Sequence, residues 1–313
     1  ITLILFGIIM LGSDLIKTPN SNYRTFVIEE KYGINKSSKR LFFTDKLKGW
    51  MLSILVGGAI LAVILWFYNK TGAYFWIYTW IFIGLFTVFM TLFYSTLIVP
   101  LFNKQTPLED GPLKSAIHNF AEKAGFELQN IYVIDGSKRS TKANAYFSGF
   151  GSRKRIVLYD TLIQDLSTEE IVAVLAHEIG HYKKKHVVVN MILSLLLTGV
   201  TLYIFSLFIG NRVLSEALSV DIPSFHIGLI TFGILYSPIS ELTGILMNYI
   251  SRRFEYQADD YAREIYNAEA LISSLKKLSG KSLSNLTPHK LNVFVHYSHP
   301  TLLQRVSNLK VSS

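Results

Sequence analysis

The sequence predicts a mainly α-helical, polytopic membrane protein that also carries an α+β domain with a small β-sheet, and three observations lead there. First, half of the 313 residues are hydrophobic and only 17% are charged, against about 25% in an ordinary soluble domain. Second, the missing charge is confined to residues 1–11, 50–68, 73–100, 187–210 and 225–250, which hold a single Asp, Glu, Lys or Arg between them, Glu241. Third, the remaining residues are charged like a soluble domain and alternate helical periodicity with short β-rich stretches. The absence of cysteine excludes disulfides, thiol catalysis and Cys-ligated metal.

Residues 1–11 are apolar from the first position, with no initiator Met, basic n-region or small-residue cleavage site. They read as a membrane helix cut at its start rather than a signal peptide. A polar loop, 12–49, leads to the runs 50–68 and 73–100, each long enough to span a bilayer. In 101–186, Leu113, Ala116, Ile117, Phe120, Ala121 and Ala124 fall at helical spacing and predict a helix ending near Gly125. Three β-rich stretches follow, Asn130–Ile134, Ala143–Phe150 and Arg155–Tyr159, separated by Asp135-Gly136 and by Gly149, Gly151 and Ser152. Ser167-Thr168-Glu169-Glu170 then reads as a capping box that opens a second helix. Two more spans, 187–210 and 225–250, precede the polar stretch 251–313. The expected organisation is therefore 1–100 (spans with the 12–49 loop), 101–186 (polar domain), 187–250 (two spans) and 251–313.

If each run spans, 29 of the 31 Lys and Arg fall on the side of 12–49, 101–186 and 251–313, leaving Lys70 and Arg212 on the other. The positive-inside rule makes the large side cytoplasmic. The net charge of +9 flanks hydrophobic spans instead of interleaving with aromatics, which fits solvent and lipid headgroups and no nucleic acid.

His177-Glu178-Ile179-Gly180-His181 is an H-E-x-x-H motif. Residues four apart lie on one helix face, so both imidazoles can meet one ion, and zinc is the natural candidate. Glu178 can take the proton of an attacking water. Taken alone, the pattern also fits an amphipathic helix with two interfacial histidines. Downstream, Glu255 and Asp259 share a face, as a ligand carboxylate and a carboxylate orienting a ligand histidine need to. Spacing alone equally fits a solvated acidic stripe answering Arg252 and Arg263. His118, His186, His226, His289 and His296 read as interfacial, loop or packing residues.

Five ordered pieces then carry a resemblance: Thr25 to Lys36, Asn144-Ala145-Tyr146-Phe147 with Arg155-Ile156-Val157-Leu158, the His177 motif, Phe254 to Asp259, and Tyr297-Ser298-His299-Pro300 with Arg305. Over nearly its whole length the chain resembles the type I CaaX prenyl protease family of integral-membrane zinc metalloproteases. The resemblance implies one Zn2+ on His177, His181 and Glu255, with Glu178 as base. It also implies that His299 and Arg305 hold the substrate carbonyl or the developing oxyanion. It makes the polar domain a cytoplasmic α+β zinc-metalloprotease domain, and the membrane a bacterial cytoplasmic membrane or the endoplasmic reticulum. The strand at Asn144, Ala145 and Tyr146 can pair with an extended peptide. Two departures stand out: Thr301 where a second proline is expected, and fewer spans than the family has.

Glu241 is the one ionisable residue in a span, so it should face a partner, a proton or water. It lies close to four helical turns before Glu255, and we expect it to line an aqueous chamber leading to the metal. The function expected is a membrane zinc endopeptidase cleaving near the C-terminus of prenylated or other membrane-associated proteins. The alternatives are a quality-control membrane metalloprotease and a non-catalytic scaffold that binds lipidated partners.

Overall fold

A computed structural model describes residues 1–126, 128, 130–148 and 155–310. In chain order the helices are α1 (Thr2–Tyr23), α2 (Lys39–Leu52), α3 (Gly58–Thr71), α4 (Phe75–Leu97), α5 (Val99–Phe102), α6 (Pro112–Lys123), α7 (Asp160–Asp165), α8 (Thr168–Lys183), α9 (His186–Phe208), α10 (Arg212–Glu216), α11 (Phe225–Ile265), α12 (Ala268–Lys281), α13 (Lys290–His296) and α14 (Leu302–Lys310). The strands are β1 (Gln105–Pro107), β2 (Asn130–Ile134), β3 (Ala145–Ser148) and β4 (Arg155–Tyr159). The chain divides into two compact units: Ile1–Arg24, Lys39–Phe89 and Val189–Thr243 form the first, and Thr25–Ser38, Met90–Val188 and Gly244–Ser313 the second.

Among the described residues, four helical stretches are long and apolar enough to cross a membrane: Thr2–Glu29, Lys39–Phe102, His186–Phe208 and Phe225–Ile265. The second contains a reversal. Gly72 takes a positive φ of 53° after α3, and the rings of Phe67 and Phe82 stand 6.2 Å apart, where a straight helix would separate them by about 22 Å. The residues between the two expected runs, 69–72, therefore join two limbs. The stretch 12–49, expected as a loop, is mostly helix: α1 runs on to Tyr23, and α2 starts at Lys39.

In the first unit Phe75, Phe205, Phe225 and Phe232 form an aromatic core. Trp80 Nε1 donates to the Leu195 carbonyl at 2.8 Å. Gly199 makes room for that indole, since a Cβ there would stand 3.0 Å from it. Pro238 lies inside α11 and removes the bond to the Ile234 carbonyl, which the Ser237 hydroxyl satisfies at 2.8 Å. α11 has 41 residues and so is about 60 Å long, roughly twice the hydrocarbon core of a bilayer. Its last third, 251–265, therefore lies beyond the apolar run and carries Glu255 and Asp259.

The second unit holds a mixed sheet of order β1-β2-β4-β3, with β2 and β4 parallel and the outer pairs antiparallel. Ile156, Val157 and Leu158 of β4 are fully buried, which explains their unbroken apolar run. β1 has three residues and ends in proline, too short for any periodic signal. The middle β-stretch appears as the edge strand β3; its expected end at Phe150 and the separators Gly149, Gly151 and Ser152 lie outside the described residues. Gly125, at φ 58°, follows α6 as expected. Ile34 and Thr141 share a backbone bond of 3.0 Å, and Lys36 N–H donates to the Arg139 carbonyl. The first polar connection thus packs beside the segment that enters β3.

Candidate metal centre

α8 begins with the capping box the sequence predicts. The Ser167 hydroxyl accepts from Glu170 N–H, and the Glu170 carboxylate accepts from Ser167 N–H. Ser273 Oγ and Lys277 Nζ of α12 donate to the same carboxylate at 2.6 and 2.7 Å. That tie fixes the orientation of α8 against α12. One turn before its end α8 carries Gly180, where a Cβ would meet Ala258 Cα and O of α11 at 3.1 Å. Glycine here lets the two helix backbones approach, and Ala258 itself is fully buried.

This approach brings three ligand atoms together. His177 Nε2 and His181 Nε2 stand 3.1 Å apart, with Glu255 Oε2 at 3.5 Å from the first and Oε1 at 3.3 Å from the second. Two histidine nitrogens and a carboxylate oxygen within 4.8 Å of one another can hold a metal ion. Glu255 Oε2 is buried without a hydrogen-bond partner, an acceptor that a cation would satisfy. Glu255 is 5% exposed and Asp259 0%, so the solvated-stripe reading fails. Arg252 instead donates to the carbonyls of Val293 and Tyr297 at the end of α13, while Arg263 pairs with Asp260.

Asp259 backs the first histidine. His177 Nδ1–H donates to Asp259 Oδ1 at 2.9 Å, which leaves Nε2 to face the centre. Burial and Arg305 oppose a charge on His177, but Asp259 and Glu255 outweigh them and push its pKa up to about 9. A metal at Nε2 takes that proton's place. Burial raises the Glu178 carboxyl above the ordinary carboxylate range, the direction that suits a base.

Arg305 grips Asp259 with Nε at 2.9 Å and Nη2 at 2.6 Å, and its Nη1 lies 3.5 Å from Glu255 Oε2. Its fork is thus turned onto the carboxylates behind the centre. His299 is 63% exposed, with Nε2 3.3 Å from Glu255 Oε1. Thr301, the departure noted in the sequence, caps α14: its N–H donates to Gln304 Oε1, and its hydroxyl accepts from Gln304 N–H. A proline has no N–H to give there. T-x-x-Q is a capping-box signature that the sequence itself carries.

His186, expected to be an interfacial, loop or packing residue, packs against the ring of Phe254. It is buried, and its Nδ1 lies 3.0 Å from His181 Nδ1. Five residues and a helix end separate the two, so no periodicity relates them. Asn144 falls just before β3, its carbonyl accepting from Tyr159 N–H at 3.0 Å. Ala145 is buried, and Tyr146 OH lies 3.4 Å from Ser95 Oγ. Glu241 is exposed on α11 and belongs to the first unit.

Two cavities border these residues. One of about 480 Å³ is lined by Glu178 and His181 together with Tyr94, Tyr146, Phe147 and Tyr182. The other, about 660 Å³, is lined by Lys142, Ala143, His296, His299, Arg305 and several serines, with no acidic residue among its described lining.

Residues 107–312 match the model of peptidase family M48, and residues 1–104 that of the CAAX prenyl protease N-terminal region, described as five membrane helices. The chain is 40% identical over 310 residues to the CAAX prenyl protease 1 homolog of Oryza sativa subsp. japonica, covering 99% of this chain and 73% of that protein. It is 38% identical to CAAX prenyl protease 1 of Saccharomyces cerevisiae, covering 98% and 72%. The crystal structure of S. mikatae Ste24p superposes with a TM-score of 0.93 at 39% identity, covering 98% of this chain and 75% of that one.

Proposed function

Because the chain belongs to peptidase family M48 and is a multi-pass membrane metalloendopeptidase, we propose that it hydrolyses peptide bonds near the C-terminus of prenylated proteins, using zinc. The observation that carries this is the convergence of His177, His181 and Glu255 around an unsatisfied buried oxygen. Donors about 2.0–2.1 Å from a tetrahedral zinc stand roughly 3.4 Å apart. The separations here are 3.1, 3.3 and 3.5 Å.

His177, His181 and Glu255 would hold the zinc, which would supply Lewis-acid chemistry for the scissile carbonyl and the attacking water. Glu178 takes the proton from the attacking water and returns it to the leaving amine. His299 donates to the oxygen on which negative charge develops. Arg305 supports the same charge from behind, through Asp259 and His177.

The substrate lies along β3, which stands at one end of the sheet order. The cavity beside Tyr146 and Phe147, rich in aromatic rings, suits the lipid-bearing residue. The cavity beside Lys142 and Ala143, basic and free of acids, suits the C-terminal end with its carboxylate. Chain direction from the first cavity to the second is antiparallel to β3, the stronger pairing. The CAAX prenyl protease names of the relatives support this substrate class. The active centre is assigned to the cytoplasmic side, where the basic residues gather.

The test compares a farnesylated peptide ending in a C-a-a-X sequence with the parent protein and Glu178→Gln. We expect one zinc per chain in both proteins, cleavage after the prenylated cysteine by the parent, and a loss of at least about 1,000-fold in kcat for the variant. Stoichiometric zinc with tight peptide binding but no cleavage by the parent would support the scaffold instead. Cleavage of misfolded membrane proteins alone would support the quality-control protease.

A further inference from the structure

We propose that His186 and Gln257 fix the tautomer of His181 so that its Nε2 lone pair, and not an N–H, faces the metal. The inference rests on the reading of His181 as a ligand. A neutral imidazole has one N–H and one lone pair, and His181 and His186 meet through like nitrogens, Nδ1 to Nδ1 at 3.0 Å. One must donate and the other accept. Which one is settled at the far side of His186, where Nε2 lies 2.8 Å from Gln257 Oε1. That oxygen only accepts, so His186 Nε2 carries the proton and Nδ1 the lone pair. His181 Nδ1 must then donate, and its Nε2 is left bare, 3.1 Å from His177 Nε2 and 3.3 Å from Glu255 Oε1. Run in reverse, the relay would put a proton on the nitrogen aimed at the metal.

The surroundings hold the relay in this state. His186 is 2% exposed, which keeps bulk water from supplying alternative partners. Its ring stacks on Phe254 with centroids 4.1 Å apart and planes within 8°, so it cannot swing away. Lys185, in the left-handed region at φ 58°, makes the turn that brings His186 back over His181. The segment Phe254 to Asp259 thus supplies a stacking ring, a ligand, the acceptor that sets one histidine and the carboxylate that sets the other. His186 and Gln257 are positioning residues that act through His181.

The experiment measures zinc affinity by chelator competition, and the absorption spectrum with cobalt substituted for zinc, on the full chain in detergent. His186→Phe keeps the stack and removes the acceptor; it should weaken zinc binding 10- to 100-fold. His186→Asn, which places an oxygen near the Nδ1 position, should recover most of that loss. Gln257→Glu, still an acceptor, should match the parent, whereas Gln257→Leu should weaken zinc binding several-fold and shift the cobalt spectrum. If the parent binds zinc and both His186→Phe and Gln257→Leu bind it equally tightly with unchanged spectra, the relay is wrong. A parent without zinc would instead overturn the ligand reading beneath it. Should His186→Phe fail to fold, the Gln257 pair decides alone.

Discussion

Glu170 shows how a single side chain couples charge to fold. Burial would raise its pKa, but donors from Lys277, Ser273 and the Ser167 backbone bring it down to about 2. The folded value lies below the ordinary 4.5, so the stabilisation is complete above that pH and is lost as pH falls toward 2. Glu170→Gln should therefore cost about 1–3 kcal/mol at pH 7, and thermal denaturation should show the gap to the parent closing between pH 5 and pH 2. A gap unchanged over that range would mean the carboxylate's charge plays no part. Residues differ in how openly the sequence announces them. His177 and His181 stand four apart on one helix and are legible at once. His186 reaches His181 around a helix end, and Arg305 reaches Asp259 from a different helix. Such contacts exist only after tertiary folding and leave no local pattern.

Between elements, the decisive contact is α8 on α11. Gly180→Ala puts a Cβ 3.1 Å from Ala258 backbone atoms, where no flexible side chain can yield. The helices must separate by a few tenths of an ångström, and Glu255 moves with α11. We expect a variant that still folds, binds zinc at least about 10-fold more weakly, and shows a parallel fall in kcat/KM. Zinc affinity at the parent's level would show that the close approach is dispensable. Elements with strong local chemistry were readable: α6 ends just before Gly125, α8 opens on its capping box, and β2 and β4 occupy the stretches expected. β1 escaped because three residues carry no period. The helical content of 12–49 escaped because Lys, Arg and Asp suit a solvated helix as well as a loop.

At the scale of the whole molecule, the three candidate ligands His177, His181 and Glu255 come from two distant stretches of one unit, while the other unit has an aromatic core of its own. Chelating the metal should remove about 4 kcal/mol if the site is normally filled at 1,000 times its Kd. Hydrogen exchange should then rise in α8 and in the Phe254–Asp259 segment, and stay unchanged in α3 and at Trp80. A uniform rise across both units would show that the site stabilises the entire chain. The same separation has a meaning during synthesis. The ribosome delivers α8, with His177, Glu178 and His181, well before Glu255 and Asp259, and Arg305 later still. A nascent chain therefore carries the parts of a cutting edge without the means to mount it. The candidate centre is complete only once α14 brings Arg305 onto Asp259.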